Sequence, residues 1–367
     1  MSGTTVSFPK QGAEEFVRDV KRGVADYFAE TGRSMKANWS MRAKTVILLA
    51  LVVVPYVAIL SNRLSLLAML GCTVVMGIGI AGIGFGISHD ALHGAYANSP
   101  FVNRLLGTSL DLIGGNSYMW KLTHNVIHHT YTNIEGVDED IDFAPFLRLS
   151  PHSRHQWQHR FQHLYAFAAY STATLFWVFV KDYRYFLKRD LGPYKNKQHP
   201  PGEIALLFVT KAAFYGWTIV LPLLILHVTW WQFLIGFLTM QMTAGLILGV
   251  VFQLAHVVEG TEFPLPDQSG TMESAWLLHE MRTTANFAPD NRLVGWYVAG
   301  LNHQIEHHLF PKICSVHYPA ISRIVRRAAA AHGVPYHEHP TLIAAIRSHY
   351  RMLKRLAQPL PIEAQLT

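Results

Sequence analysis

Long apolar runs separated by short polar breaks dominate the pattern of this sequence. Four runs are long enough to cross, nearly or fully, roughly 30 Å of hydrocarbon as α-helices, and they cover about residues 45–60, 64–87, 204–227 and 231–254. Because the first two runs are separated by only a short break, as are the last two, each pair predicts a helical hairpin. The pattern therefore predicts an all-α integral membrane protein with four transmembrane helices.

Two further apolar segments, at about 101–122 and 161–180, are less continuous or have polar flanks. Arg104 and Asp111 lie inside the first segment, and charged residues follow the second. Charged side chains are costly at the centre of a bilayer. We therefore expect both segments to lie at the membrane interface and not to span it.

The polar stretch 1–44 forms an N-terminal arm, and the membrane domain follows at 45–367. Between residues 14 and 28 the apolar residues of the arm recur at helical spacing. This spacing predicts an amphipathic helix lying on the membrane or on the protein. The arm carries eight Lys or Arg residues, whereas the breaks at 61–63 and 228–230 carry one and none. The positive-inside bias therefore places both termini in the cytosol.

The composition agrees with a membrane protein. Half of the residues are hydrophobic and only 15% are charged, whereas ordinary soluble domains have about 25% charged residues. The net charge of +7 suits an anionic membrane surface or an acidic redox partner. Because the basic residues are scattered among apolar segments, we expect no nucleic-acid partner. Two cysteines are too few for a disulfide framework.

Histidine clusters are the candidate chemistry of this chain. Three clusters lie close to the apolar runs: His89 with His93, His124 with His128 and His129, and His307 with His308. Residues four apart share one face of a helix, and imidazole is a good ligand for zinc, copper, iron and nickel. One such pair is often an ordinary surface feature, but three together indicate a shared metal centre. His256, at the end of the fourth run, is a further candidate ligand.

A shared centre constrains the topology. All three clusters must lie on one side of the membrane, so an even number of crossings must separate them. This constraint agrees with four spans and with a cytosolic helical cap that holds the metal site. The remaining histidines are interpreted as interfacial or structural side chains: His152, His155, His159, His163, His279, His303 and His317.

The stretches HDALH, HNVIHH and QIEHH resemble the three histidine boxes of the membrane fatty acyl desaturases. The third box begins with Gln304, as in the front-end branch, which inserts a double bond between an existing one and the carboxyl end. The longer phrases IGGNSYMWKLTHNVIHHTYTNIEGVDEDID and LNHQIEHHLFP are similar to bacterial linoleoyl-CoA (delta-6) desaturases. The resemblance covers about residues 10–355.

The resemblance implies an oxygen-dependent desaturase with two non-haem iron ions. Carried over residue by residue, the ligands are His89, His93, His124, His128, His129, His256, His307 and His308. Gln304 is a weak or water-mediated ligand candidate, since an amide binds metal only through its oxygen. Carboxylates near the boxes are expected to orient the ligands through hydrogen bonds: Asp90, Glu306, Asp140 and Asp142.

The expected substrate is a fatty acyl chain carried by coenzyme A or by a lipid of the surrounding membrane. The reaction needs external electrons, and a fused haem domain is not expected here. We therefore expect a separate donor, such as a ferredoxin or a small cytochrome, in a bacterial cytoplasmic membrane. Two alternatives stay open: a di-iron lipid or alkane hydroxylase, and a histidine-rich metal transporter. A transporter would place its ligands near the bilayer midplane, whereas the boxes here lie outside the apolar runs.

Overall fold

A computed structural model describes residues 6–143 and 145–359 of the chain. Among these residues, four helices are long and apolar enough to span a membrane, and we number them spans 1 to 4: Trp39–Leu60, Leu66–Leu92, Pro201–Ile225 and Trp230–His256. The predicted all-α membrane fold is confirmed. Span 1 begins within the predicted arm, and span 2 continues past residue 87, so that His89 lies within its last turn. The first residues of the predicted N-terminal arm, 1–5, and the last residues of the predicted membrane domain, 360–367, lie outside the described residues.

Shorter elements make up the rest of the described chain. The helices outside the spans are Glu14–Thr31, Pro100–Gly107, Ser109–Leu112, Ser117–Trp120, Lys121–His128, His129–Tyr131, Trp157–Phe161, Gln162–Ser171, Ala173–Phe176, Trp177–Lys181, Asp182–Leu187, Trp276–Thr283, Arg292–Tyr297, Gln304–Leu309, Ser315–His317, Tyr318–His332 and Leu342–Leu356. Two short strands, Ala285–Phe287 and His337–His339, pair in parallel. The last six of these helices and both strands follow span 4 and form a helical cap on one end of the spans.

The two segments predicted at the interface have different structures. The first consists of short helices, and the longest of them, Pro100–Gly107, has only eight residues. The second is a pair of helical segments, Trp157–Ser171 and Ala173–Leu187, bent by 59° relative to each other. This pair is either a broken span or a re-entrant loop, and counting it as a span would raise the number of spans to five. Its interfacial position therefore stays a prediction.

Glycines allow the spans to approach each other closely. A Cβ atom on Gly77 of span 2 would lie 2.6 Å from the carbonyl oxygen of Met240 in span 4. A Cβ atom on Gly79 would lie 2.8 Å from the side chain of Val52 in span 1. Small residues at such positions are typical of helices packed within membranes, where close contact replaces the hydrophobic driving force.

The two hairpin turns meet at the same end of the helical bundle. The Asn62 side chain donates a hydrogen bond to the Ile225 carbonyl at 2.9 Å, and it accepts one from the His227 backbone N–H at 2.9 Å. The other ends of spans 2 and 4 carry His89 and His256. The fold thus separates a hairpin end, held by Asn62, from a histidine end.

The N-terminal helix Glu14–Thr31 lies on the protein. Its apolar face buries Phe16, Val20 and Val24 in one cluster with residues of the helix Tyr318–His332. The predicted amphipathic helix is therefore present, and the cap covers its apolar face.

We predict that Gly77→Leu destabilises the bundle, because the new side chain would collide with the span 4 backbone. Overpacking of this kind costs about 1–3 kcal/mol. Gly71→Leu is the matched control on the same helix, since nothing lies within 4 Å of the Cβ position there. The fraction of detergent-solubilised protein that stays monodisperse after heating measures the effect. Equal thermal losses for both variants would contradict this packing.

Candidate metal centre

Four separate parts of the chain bring histidines to one buried place. His89 and His93 come from the end of span 2, and His256 is the last residue of span 4. The helix Lys121–His128 supplies His124 and His128, and His129 follows it directly. The helix Gln304–Leu309 supplies His307 and His308. All eight histidines predicted from the sequence as ligands lie in this region. Their role as ligands stays a prediction.

The histidines form two groups suited to a metal ion. In each group, one potential ligand atom per residue lies within 4.8 Å of the others. The first group is His89, His93, His124 and His307, and the second is His128, His256 and His308.

His129 lies between the two groups. Its ring centroid is 4.5 Å from that of His307, in the first group, and 4.4 Å from that of His308, in the second. Both of its ring nitrogens are buried and have no hydrogen-bond partner within the described chain. The geometry therefore leaves His129 available to either group, and the two groups together resemble a binuclear site.

The unpaired nitrogens fit bound metal. Burying a polar atom without a partner is costly, yet many Nε2 atoms here are buried and unpaired among the described residues: those of His93, His124, His128, His129, His307 and His308. A metal ion would satisfy these lone pairs. Imidazole suits iron as well as zinc, copper and nickel, so these donors are compatible with the two iron ions that the resemblance implies.

Carboxylates hold the opposite side of several of these rings. Asp138 accepts a hydrogen bond from His128 Nδ1 at 3.0 Å. Glu280 lies 2.7 Å from His308 Nδ1, within hydrogen-bonding distance. A hydrogen bond at Nδ1 fixes the tautomer and turns the Nε2 lone pair toward a metal.

Of the four carboxylates expected from the sequence, Asp140 most clearly takes this position, with its oxygen 3.2 Å from His124 Nδ1. Asp90 is 3.6 Å from His89 Nδ1, but its other oxygen accepts hydrogen bonds from Ser315. The sequence did not reveal Asp138 or Glu280. Asp138 stands ten residues after its histidine, and Glu280 lies 28 residues before its own.

Glu306 does not contact a predicted ligand. Its carboxyl group accepts hydrogen bonds from Asn286 at 2.8 Å and from Tyr336 at 2.9 Å. Burial raises the pKa of Glu306 to about 7. The buried Gln304 begins the same helix. Orientation of the ligands by Glu306 therefore has no geometric support, whereas orientation by Asp142 and ligation by Gln304 stay predictions.

The ring protonation states suit metal ligation. Burial lowers the pKa of His124 to about 3 and holds the pKa values of His129 and His308 well below the usual value. These imidazoles are therefore neutral near pH 7, as metal ligands must be. His128 differs: burial lowers its pKa, but the carboxylate of Asp138 outweighs that effect and raises the pKa overall.

The second histidine box lies on a π-helix, Lys121–His128, and not on the α-helix that its spacing suggested. The wider turn of a π-helix, a form often found at functional sites, places His124 and His128 nearly in line. Their rings stack with centroids 5.1 Å apart and planes inclined by 22°. Trp120, one turn earlier, stacks on His124 at 4.4 Å and closes this side of the site.

The remaining histidines, among the described residues, lie outside both groups. His159 lies 2.9 Å from the Pro145 carbonyl, and His279 lies 2.8 Å from the Thr132 carbonyl. These contacts agree with the interpretation of these histidines as interfacial or structural side chains. The spacing of four along His155, His159 and His163 therefore does not mark a metal site.

Comparison with known proteins gives one consistent family. The family model described as "Fatty acid desaturase" matches residues 64–340. Proteins named "sn-1 linoleoyl-lipid 6-desaturase" are 38% identical in Synechocystis sp., over 94% of this chain and 96% of that protein, and 36% identical in Arthrospira platensis, over 97% and 96%. An "Acyl-lipid (8-3)-desaturase" of Physcomitrium patens is 33% identical over 96% of this chain and 74% of its own length.

We predict that Asp138→Asn weakens ferrous iron binding about 10- to 100-fold, because His128 loses the partner that orients it. Competition with a chromogenic chelator measures the affinity of the purified protein. Glu306→Gln is the matched control: it also replaces a buried carboxyl group close to a histidine box, but this group touches no predicted ligand. The same loss of affinity in both variants would contradict the assigned contacts.

Proposed function

Because this chain belongs to the fatty acid desaturase family, we propose that it is an oxygen-dependent front-end desaturase of acyl lipids. It would insert a cis double bond on the carboxyl side of the double bonds already present in a linoleoyl-type chain. The names of the relatives from Synechocystis sp. and Arthrospira platensis support the 6-position and a lipid-bound substrate. The observation that carries the proposal is the pair of buried histidine groups with their unpaired nitrogens.

Two iron ions would be held by the two histidine groups, with His129 available to either. When bound, they supply the oxygen-activating redox chemistry needed to remove two hydrogens from an unactivated chain, which no side chain supplies. The protein's own part is to hold eight imidazoles in place before substrate arrives. Preorganised ligands of this kind need no rearrangement during the reaction.

The surrounding side chains would orient these ligands and exclude water from them. Asp138, Asp140 and Glu280 would keep a proton on Nδ1 of their histidines, so that Nε2 presents its lone pair. Trp120 covers the first group, and Phe252 packs 5.1 Å from both His128 and His256 in the second. A site closed to water favours attack on the bound chain over side reactions.

The proposed orientation places the histidine end of the bundle and both termini in the cytosol of a bacterial cell. The electrons would come from a separate donor, a ferredoxin or a small cytochrome. The net charge of +7 suits an acidic donor, because complementary charges accelerate encounter.

We predict that cells fed linoleate and expressing the wild-type chain form a new double bond on the carboxyl side of the existing ones. His307→Ala removes one member of the first group, and we expect it to abolish the product and lower the iron content. Mass spectrometry with double-bond location measures the product. His155→Ala is the control, since His155 lies outside both groups and its Nε2 lies 3.0 Å from the Ala357 carbonyl.

Two results would contradict the proposal. A hydroxylated chain in place of a new double bond would indicate a lipid hydroxylase. A new bond on the methyl side of the existing ones would exclude front-end desaturation, while desaturation itself would stand.

A further inference from the structure

We propose that the cavity beside His93 binds the phosphate group of a membrane glycerolipid that carries the acyl substrate. This inference rests on the proposed function and specifies its substrate: a chain attached to an anionic phospholipid. The shared chemistry is a phosphate next to an acyl ester, and coenzyme A is the other source of such a group.

The cavity is large, and all of its charged lining residues are cationic. It has a volume of about 800 Å³ and is lined by residues between Ala91 and Arg104, together with Lys36 and Lys121. Three of its lining residues are cationic, namely Lys36, Arg104 and Lys121, and none of the described lining residues is acidic. Such a cavity attracts anions and disfavours cationic head groups.

Two of the three cations are available to a ligand. The ammonium group of Lys36 is held in the wall, where it donates hydrogen bonds to the carbonyls of Gly94 at 2.8 Å and Lys312 at 3.3 Å. Arg104 and Lys121 are exposed, and neither forms an ion pair within the described part of the chain. Arginine binds phosphate through two parallel hydrogen bonds, and lysine adds a point charge.

The cavity has apolar surroundings that suit a lipid. Phe101, which lines it, is 73% exposed, and Leu105 beside Arg104 is 59% exposed. Trp39, three residues after Lys36 and at the start of span 1, is 80% exposed. Aromatic and apolar side chains next to cations are typical of the boundary between hydrocarbon and head groups. A phospholipid could therefore reach the cavity from the bilayer without entering bulk water.

The position of the cavity, next to the candidate metal centre, agrees with a double bond inserted near the carboxyl end of the acyl chain. His93 belongs to the first histidine group and also lines the cavity. A front-end reaction acts only a few carbons from the ester, so the head group must stay close to the metal centre. A cavity that shares a wall with the centre provides this short separation, whereas a distant head-group site would place the bond farther along the chain.

The test compares carriers that differ in charge. Full-length, iron-loaded protein in dodecyl maltoside micelles, which contain no phosphate, is given linoleoyl phosphatidylglycerol, linoleoyl monogalactosyldiacylglycerol or linoleoyl-coenzyme A. Native mass spectrometry measures binding, and initial rates with a supplied reductant measure desaturation. The variants are the doubly neutralised Arg104→Gln/Lys121→Gln, the charge-retaining Arg104→Lys/Lys121→Arg, and Arg327→Gln as a control for an exposed cation of the cap.

We expect the wild type to prefer phosphatidylglycerol to the galactolipid. The neutralised variant should bind phosphatidylglycerol about tenfold more weakly, with a higher KM and a similar kcat, and galactolipid binding should not change. The charge-retaining variant and Arg327→Gln should behave like the wild type.

Three results would overturn the inference: equal use of phosphatidylglycerol and galactolipid, equal loss of both in the neutralised variant, or preference for linoleoyl-coenzyme A. Failure of the proposed function looks different. In that case the iron-loaded wild type desaturates none of the three carriers, while the binding measurements still report whether phosphate is recognised.

Discussion

The need to keep buried imidazole nitrogens without protein partners is the constraint on which this structure depends. Six Nε2 atoms of the predicted ligands lie in the interior with no hydrogen bond among the described residues. Each would cost free energy if left alone, so the surrounding fold is arranged for a state in which metal satisfies them. Ligand nitrogens that need metal couple metal binding to the stability of the fold. Metal bound by both histidine groups would thereby join the cap and the spans at one place.

The membrane spans contribute to the centre mainly by their lengths and contacts. Gly77 brings spans 2 and 4 together, and Asn62 ties the two hairpins at the opposite end. These contacts fix the ends of the spans that carry His89 and His256. Contacts between the spans and at their far end thus help to set distances at the histidine end, and an altered span contact would disturb the histidine groups without touching a predicted ligand.

The sequence was sufficient for the features that are local or periodic. Apolar runs predicted the four spans, and the spacing of His89 and His93 predicted that the two rings share one helical face, in agreement with their place in one histidine group. The sequence was insufficient to predict the contact of Glu280 with His308, because that contact depends on how the chain folds back after span 4. Glu306 likewise stands next to a predicted ligand in the sequence, but its carboxyl group turns toward Asn286. Neighbours in sequence on a helix face different directions, and only the packing decides which one reaches the site.

The pairing of His307 with the first group and His308 with the second has a consequence for biosynthesis. Two adjacent residues of one helix complete two different clusters, so neither cluster can close before the ribosome has passed residue 308. A chain truncated before this helix would therefore contain neither complete group.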